Sequence, residues 1–239
     1  DRMGKVKNLA KIDKIEYAIT YSADAFEDNW KKRLKYYNKT SEYKTNLNLL
    51  KNDIDQTLPP TKPKSNVLFI YMGIPGSGKT AISNILLNLE LGVILQSDWI
   101  YFTKLKDQLE GDYYKAYVYL EELTLYYLKK GYSVICDGNS RTHKVRQTEY
   151  NLAKEAGVEC VLISIDVDLD TAARRVTLKG GGEDRYEEHI KRLSVFQSQM
   201  EYPDKKEQKT IKIIRIDGKE SLEKIKLKLE KELIKLQIL

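Results

Sequence analysis

One stretch constrains the fold of this 239-residue chain more than any other: Gly73-Ile74-Pro75-Gly76-Ser77-Gly78-Lys79-Thr80. The residues before it, 67–72, are apolar and aromatic, which is typical of a buried strand. Residues 81–87 after it have the apolar face of a helix. A glycine-rich loop between a strand and a helix directs backbone N–H groups and the positive end of the helix at an anion. The stretch therefore predicts a phosphate-binding loop, with an ordinary glycine-rich turn as the alternative.

The chemistry of this motif predicts how it would hold a nucleotide. Glycines permit backbone angles that other residues avoid, so successive N–H groups can converge on one phosphate. Lys79 is expected to reach the β- and γ-phosphates, and Thr80 to offer its hydroxyl to Mg²⁺. The loop residues expected to contact the nucleotide are Gly73, Pro75, Gly76, Ser77 and Gly78. We therefore predict that the chain binds ATP, or another nucleoside triphosphate, with Mg²⁺.

From residue 66 onward, strand patterns alternate with helix patterns. Strands are predicted at 67–72, 93–96, 133–137, 158–166 and 211–216. Helices are predicted at 81–87, 112–130, 143–156, 168–179, 184–201 and 220–237. This alternation predicts an α/β fold of three layers, α/β/α, with a parallel sheet and a ligand crevice at the carboxyl ends of the strands. The domain is expected to span residues 66–239, with a lid near 170–190.

Residues 1–65 are predicted to form a helical N-terminal extension. Two sets of apolar residues recur there at helical spacing: Phe26, Trp30, Leu34 and Tyr37, and then Tyr43, Leu47, Leu50 and Ile54. We expect these helices to pack on the main domain, before a proline-rich linker at 58–63. The extension has a net charge of +5, whereas the rest of the chain has +1. This basic bias favours either nucleic acid as a partner or a solvated helix surface. No protein partner is indicated.

The composition is that of a globular domain, with 41% hydrophobic and 32% charged residues. No apolar stretch is long enough to cross a bilayer and no secretory signal pattern opens the sequence, so we expect a cytoplasmic protein without a membrane span. Cys136 and Cys160 lie in apolar, strand-like runs and are expected to be buried, reduced thiols.

Asp98 lies just past the end of the strand predicted at 93–96, at the edge of the sheet where the crevice is expected. A carboxylate there could accept the proton of a substrate hydroxyl while the γ-phosphoryl group moves in line. The alternative is a turn or helix-capping role, which is common for aspartate.

A second polar segment, 137–142, follows the strand at 133–137. Asp137 is expected to hold Mg²⁺ through water or to orient the substrate. The other residues expected to line an acceptor pocket are Asn139, Arg141, Thr142 and Arg146. The alternative is a strand–helix connection whose polar residues only satisfy turn backbone groups.

Basic residues bracket the triple glycine 180–182 and suit a lid that closes over a triphosphate: Arg174, Arg175, Lys179 and Arg185. Arg174 or Arg175 is expected to stabilise the transferred charge, and Arg174 to contact the nucleotide. A charged helix surface is the alternative, because four acidic residues lie nearby in sequence. Asp137 and Asp166 are not followed by the glutamate that activates water in motor ATPases, which favours transfer to a bound hydroxyl.

Over residues 66–217 the sequence resembles the small P-loop kinases that include polynucleotide 5′-hydroxyl kinases and zeta-type toxin kinases. The resemblance rests on the phosphate-binding loop, Gln-Ser-Asp at 96–98, Asp-Gly-Asn-Ser-Arg-Thr at 137–142 and Arg-Arg-Val-Thr-Leu-Lys-Gly at 174–180. It implies that Asp98 is a general base and that Asp137 lies near the substrate. Polynucleotide kinases usually have an arginine where this chain has Tyr101, and an arginine where it has Lys179. Zeta-type kinases phosphorylate a UDP-linked amino sugar and have an acidic-Gly-x-x-Arg-Thr segment like 137–142.

The sequence therefore predicts a kinase that moves the γ-phosphate of ATP to a substrate hydroxyl. A nucleic-acid 5′-hydroxyl is the first expectation for the acceptor, and a UDP-linked amino sugar is the second. A different class of function also remains open, namely a non-catalytic, nucleotide-dependent switch that acts through its N-terminal helices.

Overall fold

A five-stranded parallel sheet forms the centre of the fold. The computed structural model describes residues 36–239 apart from 64, 107, 110–111 and 181–184. The strands are β1 (Val67–Met72), β2 (Gly92–Leu95), β3 (Ser133–Cys136), β4 (Glu159–Asp166) and β5 (Lys212–Asp217). Their order across the sheet is β2-β3-β1-β4-β5. The strand that leads into the phosphate-binding loop is thus central, and the predicted parallel α/β architecture is confirmed.

Helices cover both faces of this sheet. They are α1 (Ser41–Asp55), α2 (Lys79–Asn88), α3 (Tyr114–Lys129), α4 (His143–Ala156), α5 (Leu169–Gly180), α6 (Tyr186–Ser198), α7 (Glu207–Thr210) and α8 (Leu222–Lys235). A π-helical turn spans Trp99–Lys104, directly after Asp98. The sequence patterns did not predict this turn or α7, because both are too short to establish a helical period.

The central strand is buried on both sides, which explains its continuous apolar sequence. Leu68, Ile70 and Met72 pack in the core that includes α1 and α3, whereas the alternate residues, Phe69 and Tyr71 among them, pack in the core with α2 and α8. Full burial of one such side chain stabilises the fold by about 1.5–3 kcal/mol. These two cores therefore fix the strand whose carboxyl end carries the loop.

Helix α1 packs on the sheet domain, as expected for this part of the N-terminal extension. The ring of Tyr43 stacks on that of Tyr119 in α3 with centroids 4.6 Å apart. The hydroxyl groups of Tyr37 and Tyr119 are hydrogen-bonded at 2.8 Å. The four apolar positions predicted for α1, Tyr43, Leu47, Leu50 and Ile54, are all buried. The earlier predicted helix, with Phe26, Trp30 and Leu34, lies outside the described residues, and the domain boundary at 65 stays a prediction.

Both cysteines, Cys136 and Cys160, are buried and free, as predicted. Within the described residues, no helix combines the length and the apolar character that a membrane crossing would require.

Candidate active site

The loop between β1 and α2 adopts a shape that depends on two of its glycines. Gly78 precedes α2 with a φ of 109°, and Gly76 has a φ of 83°. A Cβ on Gly76 would lie 2.5 Å from the carbonyl oxygen of Ala172 in α5. A side chain at position 76 would therefore strain the backbone and also push α5 away from the loop.

Lys79 is the first residue of α2, and its side chain folds back over the loop. Its Nζ donates hydrogen bonds to the carbonyl oxygens of Gly73 at 2.9 Å and Ile74 at 3.1 Å. Burial lowers the pKa of Lys79 to about 8; the charge of Asp137 opposes this shift and that of Lys179 adds to it. The ammonium group is therefore held over the loop, and the charges of Asp137 and Lys179 both act on it.

The loop residues fit the phosphates of a nucleotide. Ser77 is buried, and its Oγ has no hydrogen-bond partner among the described residues. The first turn of α2 directs its free backbone N–H groups and its positive dipole end at the same place. Thr80 is exposed in that turn, where its hydroxyl can reach a metal ion beside the phosphates.

The segment after β3 lies against the phosphate-binding loop. Asn139 Nδ2 donates to the carbonyl oxygen of Gly73 at 2.8 Å, while its buried Oδ1 has no partner within the described part of the chain. Gln96 Nε2 donates to Asp137 Oδ2 at 2.5 Å. Asp137 and Asn139 are thus brought together with Lys79, as the sequence predicted for an edge formed by carboxyl ends of parallel strands.

Asp98 follows β2 on the same edge, with an exposed side chain. Its carboxylate makes no capping hydrogen bond to the helical turn that follows, so the alternative of a helix cap does not hold. The Tyr113 hydroxyl instead donates to Asp98 Oδ1 at 2.6 Å and lies 2.9 Å from Ser97 Oγ. Burial raises the pKa of Tyr113 well above its ordinary value, so the phenol stays a neutral donor.

Aromatic rings adjoin Asp98 and form what we call the aromatic rim: Tyr101, Phe102, Tyr113 and Tyr117. Ring centroids are 5.0 Å apart for Tyr101 and Tyr113, and 5.5 Å apart for Tyr113 and Tyr117. The sequence indicated a tyrosine-rich helix here but did not identify the position that contacts Asp98. Tyrosines spaced at helical intervals most often pack in a core, so sequence spacing alone gives no signal for this role.

Arg141 and Thr142 are both largely buried after β3. The Arg141 guanidinium lies over the Phe196 ring of α6, 4.6 Å from its centroid. Thr142 is the N-cap of α4, with its side-chain oxygen accepting a hydrogen bond from the Val145 N–H at 3.4 Å. Thr142 therefore has a structural role, and contact of either residue with a substrate stays a prediction.

Arg146 differs from its expected position in the acceptor pocket. The side chain is fully buried, and its Nε and Nη2 donate to the carboxylate of Glu207 in α7, the latter at 2.8 Å. Its Nη1 donates to the Ser140 carbonyl oxygen at 3.1 Å. We therefore correct the expectation that Arg146 faces a substrate, because its hydrogen bonds are directed into the protein.

The two adjacent arginines of α5 have different environments. Arg174 is exposed and pairs with Asp170 at 3.0 Å on the helix surface. Arg175 donates to the carbonyl oxygens of Gly76 at 3.3 Å and Gly218 at 2.8 Å, and so joins the phosphate-binding loop to the turn after β5. The glycines 181–182 of the expected hinge lie outside the described residues, so lid closure stays a prediction.

Comparison with known proteins assigns the family. A family model described as an AAA domain matches residues 68–203, which is more than half of the chain. The chain belongs to this AAA-domain family. The match begins in β1 and ends beyond α6, so it includes the phosphate-binding loop, Asp98, the segment after β3 and Arg175. A comparison with curated proteins gives no match.

Solved structures show the fold of this AAA-domain protein. A proposed kinase from Chloroflexus aurantiacus is 18% identical, with a TM-score of 0.52, over 70% of this chain and 98% of that one. A structure of the PezAT chromosomal toxin–antitoxin system of Streptococcus pneumoniae is 19% identical, with a TM-score of 0.53, over 74% of this chain and 78% of that one. The α/β fold with a parallel sheet predicted from the sequence is thereby confirmed.

Proposed function

We propose that this protein is an ATP- and Mg²⁺-dependent phosphotransferase that moves the γ-phosphate of ATP to a substrate hydroxyl. One observation carries the proposal: an exposed carboxylate, Asp98, shares a sheet edge with the phosphate-binding loop and already holds a hydroxyl at 2.6 Å. That distance is within the range a general base needs to remove a proton.

The loop would hold the triphosphate through backbone N–H groups, Ser77 Oγ and Lys79 Nζ, while Thr80 and Asp137 would hold Mg²⁺. Bound MgATP supplies the transferable phosphoryl group and shields its negative charge. On binding, the Lys79 ammonium exchanges the carbonyl oxygens of Gly73 and Ile74 for phosphate oxygens. This exchange favours the charged form of Lys79, whose buried ammonium lacks a carboxylate hydrogen-bond partner among the described residues.

Asp98 would act as the base for the acceptor. Its carboxylate accepts the proton of the substrate hydroxyl as the oxygen–phosphorus bond forms and the bond to the leaving diphosphate breaks. A carboxylate has about four lone-pair sites, so Asp98 can bind a substrate hydroxyl while Tyr113 stays bound to Oδ1. Tyr113 then acts as a positioning residue that fixes the orientation of the carboxylate.

Positive charge near the transferred group would come from Lys79, Lys179 and Arg175. Lys179 is close enough to Lys79 to lower the pKa of its ammonium. Arg175 bonds the loop through the Gly76 carbonyl oxygen, and a small shift would bring its guanidinium to the phosphates. Such groups stabilise charge that develops on the phosphoryl oxygens.

For the acceptor, we propose a nucleic-acid 5′-hydroxyl first and a UDP-linked amino sugar second. Both contain a nucleoside, and the aromatic rim beside Asp98 offers ring faces on which a base can stack. The second acceptor is supported by Tyr101, which stands where polynucleotide kinases usually have an arginine, and by the Asp137–Thr142 segment beside the loop.

The test is a transfer assay with γ-labelled ATP and three separate acceptors: a 5′-hydroxyl oligonucleotide, UDP-N-acetylglucosamine and bulk tRNA. We expect one acceptor to take up label, and Asp98→Asn to lower that rate at least about 100-fold, since general base catalysis contributes about 10²–10⁴-fold. Glu223→Gln, which neutralises an exposed carboxylate on α8, is the matched control and should leave the rate unchanged.

Slow hydrolysis of ATP that no acceptor changes would instead favour the nucleotide-dependent switch. Full transfer by a folded Asp98→Asn variant would remove Asp98 from the proposed role.

A further inference from the structure

Helix α6 contains a half-buried arginine, Arg192, and two of its guanidinium nitrogens lack partners among the described residues. Arg192 Nε and Nη1 are both inaccessible to solvent, and neither has a hydrogen-bond partner among the described residues. One turn earlier on the same helix face, His189 is only 6% exposed, and its Nδ1 is likewise buried without a partner in the described chain. Two neighbouring side chains thus have unused hydrogen-bonding capacity in the same place.

This arrangement is costly unless an anion joins it. A buried polar group without a hydrogen bond destabilises the fold, and a buried charge without a partner destabilises it more. Burial lowers the pKa of Arg192, with Arg185 adding to the effect and Glu188 opposing it. Burial also lowers the pKa of His189, as does the nearby charge of Arg192. Among the described residues, the positive charge of Arg185 thus acts on both side chains, and the negative charge of Glu188 opposes it.

The same face of α6 adjoins the candidate active site. Phe196 lies one turn beyond Arg192, and the Arg141 guanidinium rests on its ring at 4.6 Å. The Glu201 N–H donates to the Arg141 carbonyl oxygen at 2.9 Å, which fixes the end of this helical region to the segment after β3. A third cationic side chain, that of Arg141, is therefore next to this face of α6.

A chain of neighbours leads from this face to the proposed base. Tyr117 is close enough to Arg141 to affect its pKa: burial lowers the pKa of Arg141, and the charge of Tyr117 opposes this shift. Tyr117 in turn hydrogen-bonds with Tyr113. Burial raises the pKa of Tyr117, and the charge of Asp98 adds to this shift. Tyr117 thus connects the surroundings of Arg141, which contacts α6, with the pair formed by Tyr113 and Asp98.

We propose that Arg192 and His189, together with Arg141, bind a phosphate group that belongs to the acceptor substrate. An acceptor of this class presents a hydroxyl to Asp98 and carries its own phosphate or diphosphate some distance away. The inference rests on the proposed function, which it makes more specific: an uncharged sugar or alcohol would leave the α6 site unused. Phosphate oxygens match the fork of guanidinium donors, and Nδ1–H of a neutral histidine can donate to the same group.

The test measures binding, so it does not depend on turnover. The full-length protein is first saturated with Mg²⁺ and a non-hydrolysable ATP analogue, which occupies the nucleotide site. Inorganic phosphate is then titrated as the probe by isothermal calorimetry, in wild type, Arg192→Gln and His189→Asn. Lys191→Gln is the matched control, because it removes one positive charge from an exposed position of the same helix. Circular dichroism of each variant verifies that the fold is retained.

We expect wild type and Lys191→Gln to bind one phosphate per chain in the presence of the analogue, and Arg192→Gln to bind it at least about tenfold more weakly. His189→Asn should weaken binding by a smaller factor. If phosphate does not bind, and Arg192→Gln instead lowers the affinity for the ATP analogue, the site binds ATP and the proposal is overturned. Equal phosphate binding by wild type and Arg192→Gln overturns it as well. Because no phosphoryl transfer is measured, failure of the kinase proposal in the acceptor assay would be a separate result.

Discussion

The Tyr113 hydroxyl lies 2.6 Å from Asp98 Oδ1 and donates a hydrogen bond to it, across fifteen positions of sequence. Tyr113 directly precedes α3, and Asp98 follows β2 after two polar residues, Gln96 and Ser97. The bond thus ties the start of a helix to the edge of the sheet that carries the phosphate-binding loop. It holds the carboxylate in one orientation before any substrate arrives.

Tyr113→Phe removes this bond while keeping the ring. We expect phosphoryl transfer to fall about tenfold, because a hydrogen bond to a charged group is worth about 1.5–3 kcal/mol and only part of that is lost when the carboxylate remains. The affinity for ATP should stay the same, since the hydrogen bond that is lost is made to Asp98 and not to the phosphate-binding loop. Steady-state kinetics that separate kcat from the KM for ATP provide the measurement. A change in KM for ATP alone would contradict the assigned positioning role.

The arginines of α5 should differ in their effect on nucleotide binding. Arg175→Ala removes two hydrogen bonds to backbone carbonyls, one of them in the phosphate-binding loop, so we expect the affinity for MgATP to fall at least about tenfold. Arg174→Ala is the control, because it removes only an exposed ion pair with Asp170, and solvent screens such pairs strongly. Fluorescence titration with a labelled nucleotide compares the two. Equal losses would mean that Arg174 also contacts the nucleotide, as the sequence suggested.

Nucleotide affinity should depend on pH through Lys79. Burial lowers the pKa of its ammonium to about 8, and a bound triphosphate favours the charged form, so binding takes up protons above that pH. The affinity for a Mg²⁺-bound, non-hydrolysable ATP analogue should be constant between pH 7 and 7.5. It should then fall by up to about tenfold per pH unit above pH 8.

Lys79→Arg provides the control for this pH dependence, because a guanidinium stays charged throughout the range. Its affinity should vary little between pH 7 and 9.5, whatever its absolute value. Calorimetry at several pH values measures both proteins. A flat profile for wild type would contradict the assigned pKa.

The buried pair of Arg146 and Glu207 should stabilise the fold and take no part in phosphoryl transfer. Burial acts to raise the pKa of Glu207, but hydrogen bonds from Arg146, Tyr150 and His143 outweigh it and lower the pKa to about 2. The pKa of Glu207 is lower in the folded protein than in the unfolded chain. Its contribution to the free energy of unfolding is therefore complete above about pH 5 and is lost as the pH falls towards 2.

Glu207→Gln should therefore reduce the free energy of unfolding by about 3–5 kcal/mol at pH 7, since it leaves a buried guanidinium without its carboxylate. The difference from wild type should shrink below pH 5. Glu155→Gln, which breaks an exposed pair with Lys129, is the control and should cost less than about 1 kcal/mol. Urea unfolding at several pH values measures all three proteins. A loss that is constant between pH 7 and 3 would show that the charge of Glu207 is not responsible.

The sheet, the loop and the residues that follow the strands could be predicted because their signals are local. The phosphate-binding loop is continuous in sequence, and the parallel arrangement places Asp98 and Asp137 on its edge once the strands are known. Asp98 lies between the end of β2 and the π-helical turn, as the sequence pattern predicted.

The partners of individual side chains could not be predicted, because they come from distant parts of the chain. Glu207 pairs with Arg146 across 61 positions and lies in a helix of four residues, which no periodic pattern reveals. Arg146 lies only seven positions after Asn139, which does border the loop, so its packing and not its place in the sequence distinguishes the two. In the sequence, Arg192 is one of several charged residues of a helix, and only the burial of its Nε and Nη1 distinguishes it.

The most direct test of the account is a crystal structure of the protein with Mg²⁺ and a non-hydrolysable ATP analogue. A hydroxyl bonded to the base at about 2.6–3.2 Å and lying about 3–3.5 Å from the phosphorus would separate the Asp98 carboxylate from the γ-phosphorus by about 5–6 Å. We predict that separation, with no protein atom between them. A carboxylate that points away from the γ-phosphate, or lies too far for one hydroxyl to bridge, would contradict the proposed phosphotransferase.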